Sequence, residues 1–231
     1  MKSPVKTISE LGAVTFLDVL GWKGIWQKED NAHRALYDLI DETQEKATSV
    51  STMYSNTEIV RGASSGEIKR GKKCKTDVLS ISDTITLFTE GTPRNALAIH
   101  SHICSWLLER ALSQGIPLRG AISYGRYIVE GNIMIGYAVD EAASWHEETN
   151  WIGVILTPTA QIMIKDNVES PIIEYDRIPF KRTERNLKLC VNWHFEDREK
   201  LNEIILAKGP LTPEIAPKYL NTIEFLNRDR I

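Results

Sequence analysis

The stretch that most constrains the fold runs from Ala13 to Gly24, AVTFLDVLGWKG, because it ends an apolar segment with a carboxylate. The residues from Val14 to Val19 are mostly apolar, β-branched or aromatic, which predicts a short buried strand. An unpaired carboxylate in such surroundings costs several kcal/mol, which is comparable with the whole stability of a domain. Asp18 therefore needs a partner, and the rest of the chain must supply one or bind one.

The remaining hydrophobic patterns predict a mixed order of strands and helices. A helix is expected over residues 30–49, a strand pair with a tight turn at Ser82–Asp83 over residues 78–88, and an amphipathic helix from about Asn95 to Ser113. Further strands are expected at PLRGAISYG, WIGVILT and NLKLCVNWHF, with helices between them and two helices at the end. This order predicts an α+β fold, a ferredoxin-like βαββαβ core whose antiparallel sheet is covered by helices on one side.

Composition narrows the class of protein. The net charge of −3 and the pI near 6.0 argue against a general nucleic-acid binder. No apolar run approaches the roughly 20 residues needed to cross a membrane, and the start lacks the apolar core of a signal peptide. The three cysteines are widely separated and odd in number, which is typical of reduced thiols. We therefore expect a cytoplasmic protein that contacts neither nucleic acid nor membrane.

A basic stretch, KRGKKCK at residues 69–75, is the most conspicuous charge feature. It is interpreted as a solvated loop because the net charge of the chain is negative. A phosphate or nucleic-acid contact, or a contact with a partner's site, remains an alternative interpretation.

Asp18 and Asp83 are expected to meet at one end of the sheet. In a βαββαβ arrangement the first strand runs beside the third, so the end of one strand lies near the hairpin that carries the other carboxylate. Two close carboxylates repel each other unless a cation lies between them, and oxygen ligands without cysteine or histidine favour Mg²⁺ or Mn²⁺. Gly21 would let backbone N–H groups approach phosphate oxygens. The alternative is ordinary turn and capping chemistry at both aspartates.

Four segments together resemble the motifs of class III nucleotidyl cyclases. FLDVLGW resembles F-x-D-I-x-G-F, SDTITLF resembles the G-D hairpin, RGAISYG resembles R-x-G-I-x-x-G, and GYAVDEAASW resembles G-x-x-V-N-x-A-A-R-L. They occur in the family's order between about residues 12 and 165. The short chain and the variants LGWK and SDTI look most like the bacterial pyrimidine cyclases of the Pycsar antiphage system.

The resemblance implies a metal-dependent active site. Asp18 and Asp83 match the two catalytic, metal-binding aspartates, and Val19 matches the position whose carbonyl reaches the second of two Mn²⁺ or Mg²⁺ ions. The other candidate nucleotide-binding residues are Phe16, Leu20, Gly21, Trp22, Lys23, Leu79, Arg61, Arg126, Asp140 and Ser144.

The implied activity is conversion of UTP into 3′,5′-cyclic UMP and pyrophosphate, with CTP as the alternative substrate. A non-catalytic nucleotide-binding module is a further alternative. The resemblance also implies a homodimer with sites at the interface, and a separate effector protein that responds to the cyclic nucleotide without direct contact. Residues 1–192 would form the catalytic domain, and residues 193–231 a helical extension packed on that domain or on the dimer partner.

Four positions depart from the purine-cyclase pattern. Leu79 and Ile133 stand where adenylyl cyclases carry a base-reading Lys and Asp, and neither can hydrogen-bond a purine edge. Asp140 and Ser144 replace the family's Asn and transition-state Arg, so another cation must stabilise charge in the transition state. The arginines considered for this role are Arg61, Arg119 and Arg126.

Overall fold

A computed structural model of the chain describes residues 9–21, 31–62, 74–131, 133–164, 168–182, 186–207 and 209–228. The strands are β1 (Glu10–Val19), β2 (Thr76–Ile81), β3 (Thr84–Glu90), β4 (Leu118–Glu130), β5 (Ile133–Ile135), β6 (Gly153–Leu156), β7 (Ile172–Glu174) and β8 (Leu189–Val191). The helices are α1 (Ala32–Gly62), α2 (Pro93–Ser113), α3 (Tyr137–Trp145), α4 (Pro158–Ile164), α5 (Arg198–Ala207) and α6 (Ala216–Leu226).

The predicted α+β fold is confirmed. The strand order is β2-β3-β1-β4-β6-β8-β7, so β1 lies in the interior of the sheet between β3 and β4. Every pair along this order is antiparallel except β4 with β6, and β5 pairs only with β4. The central position of β1 means that both of its faces must be covered, which agrees with its nearly continuous apolar sequence.

Helices cover both faces of the sheet, which differs from the one-sided arrangement that the sequence predicts. Ala13 and Leu17 of β1 point into the main core together with residues of α2, such as Leu97 and Ile103. Val14, on the opposite face, packs with Ala138 of α3 in a second, smaller cluster. Because side chains alternate along a strand, Asp18 lies on the same face as Val14. The carboxylate is therefore on the α3 side of the sheet, away from the main core.

The C-terminal helices pack on the same core as the sheet. Leu201 and Ile205 of α5 are buried in the main cluster, and so are Tyr219 and Phe225 of α6. The ring of Phe225 meets the ring of Trp151 edge-on, with 4.8 Å between the centroids. This packing fixes α6 against the segment that precedes β6. The domain boundary at residue 192 stays a prediction.

A buried polar network on the main-core face links α2, three strands of the sheet and α1. His100 of α2 lies 2.6 Å from the hydroxyl of Thr15 through Nδ1 and 2.9 Å from the hydroxyl of Thr89 through Nε2. The chain continues from Thr89 to Thr76 at 2.6 Å and from Thr76 to Ser51 at 2.7 Å. Burial lowers the pKa of His100 to about 3, so the imidazole is neutral at pH 7.

We predict that His100 makes the stability of the protein depend on pH. The unfolded chain binds a proton at this residue near pH 6.5, while the folded chain does so only near pH 3, so stability falls as the pH drops through that window. Between pH 7 and pH 5 this group removes about 2 kcal/mol from the free energy of unfolding. Urea unfolding of the wild type and of His100→Gln at both pH values measures the difference.

The matched control is His194→Gln, because His194 is exposed. That variant should lose as much stability as the wild type between pH 7 and pH 5, while His100→Gln should lose about 2 kcal/mol less. An equal loss in all three proteins would contradict a neutral, buried His100.

Candidate active site

The end of β1 and the β2–β3 turn lie side by side. Asp18 is paired across the β1–β3 ladder with Thr84, the residue that follows Asp83. The N–H of Val19 donates to the carbonyl oxygen of Asp83 at 3.3 Å. Ser82 has a φ of 59°, the left-handed conformation that tight hairpin turns require. The structure thus brings together the backbones of Asp18, Val19 and Asp83.

The nearest partner of the Asp18 carboxylate is Arg119. The β1–β4 register places the two residues directly opposite each other, and Arg119 donates from Nη2 at 2.9 Å and from Nε at 3.2 Å to Oδ2 of Asp18. The side chains of Asp18 and Arg119 are only 15% and 8% exposed. Arg119 also donates from Nη1 to the carbonyl oxygens of Glu147 at 3.1 Å and Thr149 at 3.4 Å. The charge at the end of β1 is therefore balanced within the chain.

The oxygen atoms of this site suit a hard divalent cation. Both hydrogen bonds from Arg119 end on Oδ2, and Oδ1 of Asp18 accepts none from the described residues. Within the described ranges no group of three or more His, Cys, Asp or Glu side chains is placed to hold a metal. Asp18 and Asp83 are the carboxylates that a metal ion at this end of the sheet would use, since Mg²⁺ takes one or two carboxylates plus substrate oxygens and water.

The region beside the two aspartates on the α3 face is mainly apolar. Phe16, Leu79 and Met134 are partly buried and pack against the smaller hydrophobic cluster. The hydroxyl of Thr86, opposite Phe16 in the β1–β3 ladder, donates to the carbonyl oxygen of Leu79 at 3.1 Å. Ile133 lies on β5 and is 60% exposed. Leu79 and Ile133, the two positions that the sequence resemblance aligns with purine-reading residues, thus carry apolar side chains on β2 and β5.

The loop that follows β1 is described only at its beginning. Leu20 is buried, and its N–H donates to the carbonyl oxygen of Pro117 at 2.8 Å. Gly21 has a φ of 77°, a conformation that favours glycine. Trp22 and Lys23 lie outside the described residues.

The described structure includes only some of the basic residues considered above, and they lie at different ends of the sheet. The side chain of Arg61 and residues 69–73 of the basic stretch lie outside the described part of the chain. Arg126 is exposed and donates to the hydroxyl of Ser9 at 3.0 Å. It is paired with Leu11 near the start of β1, seven residues along β4 from Arg119, which corresponds to ~23 Å. Within one chain, therefore, only Arg119 of these arginines is placed by the described structure at the Asp18 end of the sheet.

Asp140 and Ser144 lie on the exposed side of α3. Val139 and Ala142 of the same helix are buried against the sheet, whereas both predicted site residues are exposed to solvent. The hydroxyl of Ser144 donates to the carbonyl oxygen of Asp140 at 2.7 Å, one turn back in the helix. Neither side chain is directed to the sheet face that carries Asp18, so a role in catalysis would require a second chain.

Comparison with solved structures identifies the fold. The catalytic core of a rhodopsin-guanylyl cyclase with converted specificity, solved with ATPαS, is 12% identical with a TM-score of 0.50, over 80% of this chain and 96% of that one. A double mutant of the guanylyl cyclase domain of the RhoGC fusion protein from the aquatic fungus Blastocladiella emersonii is 11% identical with the same TM-score and coverage. The adenylyl cyclase CyaB from P. aeruginosa is 15% identical with a TM-score of 0.46, over 80% of this chain and 94% of that one.

The two similarities with a TM-score of 0.50 show that the chain has the class III cyclase fold. At such low identities they show the fold alone. No protein-family model matches the sequence, and no curated protein matches it either. In the part of the chain that the structure describes, no helix is both long and apolar enough to span a membrane.

We predict that removing the carboxylate of Asp18 destabilises the fold. Asp18→Ala leaves the buried Arg119 guanidinium with only the exposed carboxylate of Glu147, 3.8 Å away, and breaking a buried pair in this way costs about 3 kcal/mol. Urea unfolding measures the loss.

Glu42→Ala is the matched control, because it breaks the ion pair of Glu42 with Arg110, which is 2.6 Å long but whose side chains are 33% and 43% exposed. Surface pairs of this kind contribute below about 1 kcal/mol. Equal destabilisation by the two substitutions would contradict the assignment of Asp18–Arg119 as a buried pair.

Proposed function

We propose that the protein is a nucleotide cyclase that converts a nucleoside triphosphate into a 3′,5′-cyclic nucleotide and pyrophosphate. The observation that carries the proposal is the meeting of Asp18 and Asp83 at the end of the central strand of a class III cyclase fold. The cyclase domains with which the chain shares this fold support the same assignment. The reaction needs no protein nucleophile, since positioning and charge stabilisation suffice.

In this proposal Asp18, Asp83 and the Val19 carbonyl hold two Mn²⁺ or Mg²⁺ ions. Bound divalent ions would lower the pKa of the ribose 3′-hydroxyl and neutralise charge on the phosphates. Arg119 orients the carboxylate through Oδ2 and leaves Oδ1 open, so Asp18 is positioned before any ligand arrives. Arg119 is thus a positioning residue for Asp18.

We further propose a pyrimidine base, with UTP as the substrate and CTP as the alternative. The support is chemical: the side chains of Leu79 and Ile133 have no hydrogen-bonding group with which to read a purine edge. The resemblance to Pycsar cyclases adds an antiphage role, in which the cyclic product is the messenger to a separate effector protein.

A homodimer with sites at its interface is part of the proposal. Asp140 and Ser144 lie on the exposed side of α3, where they could reach a second copy. The neighbouring side chains of Ile135 and Tyr137 are apolar and 52% and 84% exposed, which is typical of a surface that another chain covers. A cytoplasmic location is proposed as well, supported by three widely separated cysteines that form no disulfide with one another.

We predict that Asp83→Asn lowers metal-dependent turnover by at least about 100-fold, because the substitution removes a charged metal ligand while it preserves side-chain size. Turnover is measured as cyclic nucleotide formed in the presence of Mn²⁺. Asp83 is a cleaner target than Asp18, because no described residue forms an ion pair with its carboxylate.

Asp77→Asn is the control, since Asp77 lies on the adjoining strand β2 and pairs only with the exposed Lys75 among the described residues. It should retain wild-type turnover. Full activity in Asp83→Asn would remove the support for a cyclase site at this position.

The substrate assignment is tested by incubating the protein separately with UTP, CTP, ATP and GTP and Mn²⁺, followed by chromatography. We expect cyclic UMP as the main product, because the base region lacks purine-reading groups. A product from ATP alone would refute the pyrimidine assignment. Binding without a cyclic product from any of the four would favour the non-catalytic nucleotide-binding module instead.

A further inference from the structure

The C-terminal helix α6 is hydrogen-bonded to the segment of residues 147–152, which lies between α3 and β6. The hydroxyl of Thr222 accepts from the N–H of Ile152 at 2.8 Å. The side-chain amide of Asn221 donates to the carbonyl oxygen of Asn150, also at 2.8 Å. These hydrogen bonds join two adjacent side chains of α6 to the backbone of the segment. They fix the position of the helix along its axis and its rotation about that axis.

The same segment holds Arg119 and Lys181. Arg119 donates to the carbonyl oxygens of Glu147 and Thr149, and the N–H of Lys181 donates to the carbonyl oxygen of Glu148 at 2.9 Å. Three consecutive carbonyl groups therefore anchor two cationic residues. Since α6 is bound to the next residues of the segment, it lies beside the Arg119 end of β4.

Lys218 is a cationic residue on α6, the helix that binds the segment of residues 147–152. It lies one turn before Thr222, whose hydroxyl donates to the Lys218 carbonyl oxygen at 2.6 Å, and it is half-buried. Burial lowers the pKa of Lys218, the positive charge of Arg119 lowers it further, and the carboxylate of Asp18 raises it. Residues three and four positions apart share a helix face, so Lys218 lies on the side of α6 whose Asn221 and Thr222 bind the segment that holds Arg119.

The pKa of Lys181 is shifted by some of the same neighbours as that of Lys218. Burial and then the charge of Arg119 lower the pKa of Lys181, the charge of Lys218 lowers it too, and the carboxylates of Glu147 and Glu148 oppose these effects. Two lysines and an arginine thus influence one another at a single place. Holding like charges together is unfavourable unless an anion binds among them.

Neither lysine is neutralised by a close ion pair. Among the residues that the structure describes, no carboxylate lies within 4.0 Å of the ammonium of Lys181 or Lys218, whereas Nη2 of Arg119 is 2.9 Å from Oδ2 of Asp18 and 3.8 Å from Oε2 of Glu147. Lys218 also occupies the first turn of α6, where the helix dipole disfavours a cation. The position of Lys218 is therefore poor for helix stability and favourable for binding an anion.

We propose that Lys218 binds the phosphate groups of the substrate at the Asp18 site and supplies positive charge that Ser144 lacks. The proposal rests on the proposed function and names the polyphosphate as the group recognised. Arg119 is already hydrogen-bonded to Asp18. Among the described residues, Lys218 and Lys181 are therefore the cations beside the segment of residues 147–152 whose charge no close carboxylate neutralises. The C-terminal extension would thereby contribute directly to substrate binding.

The test uses inorganic triphosphate as the probe, since it lacks a base and a ribose. Calorimetric titration in the presence of Mn²⁺ compares the wild-type protein with Lys218→Met, which keeps the length of the side chain but removes its charge. We expect Lys218→Met to weaken binding by about 10-fold, as the loss of a charge-assisted hydrogen bond predicts. Lys218→Arg should restore affinity to within about threefold of the wild type, because it returns the charge.

Lys200→Met is the control, because Lys200 is an exposed lysine on the neighbouring helix α5. It should bind triphosphate as the wild type does, and thermal unfolding should show that all the variants are folded. Unchanged affinity in Lys218→Met, or no binding of triphosphate by the wild type, would overturn the inference. If Lys218→Met weakens triphosphate binding but no nucleotide is cyclised by the wild type, the phosphate site stands and the cyclase proposal fails.

Discussion

The buried ion pair of Asp18 and Arg119 is the interaction around which the candidate site is organised. Each residue comes from one of two central strands, and the antiparallel register places them opposite each other. A pair this deeply buried adds little net stability, since desolvation offsets the Coulomb attraction, but either charge alone would be strongly destabilising. The pair therefore fixes where the carboxylate points, and it leaves one oxygen of Asp18 open to a ligand.

The same pair explains why charge accumulates at this end of the sheet. Arg119 needs further acceptors, which it finds in the carbonyl oxygens of the segment before β6. That segment also anchors α6 and the residues around Lys181. Positive side chains from distant parts of the sequence thus converge near the carboxylate. A site with open carboxylate oxygens and nearby cations suits a metal-bound polyphosphate better than it suits either component alone.

Much of this arrangement could be predicted from local patterns. Hydrophobic periodicity and turn chemistry indicated the α+β order, and a βαββαβ topology by itself places the end of β1 beside the β2–β3 turn. The partner of Asp18 was not predictable in the same way, because the β1–β4 register joins residues about a hundred positions apart and no local signal specifies it. The three-residue strands β5 and β7 are too short to give a periodic pattern. Lys218 belongs to no motif, and only the packing of α6 places it on the helix side that meets the segment of residues 147–152.

The most direct test of the account is a crystal structure with Mn²⁺ and a non-cyclisable UTP analogue. The anomalous signal of manganese identifies the ion independently of the protein atoms. We expect manganese about 2.1 Å from Oδ1 of Asp18 and from the carboxylate of Asp83, with Arg119 still on Oδ2. Manganese bound elsewhere, with Asp18 contacting Arg119 alone, would contradict the central claim.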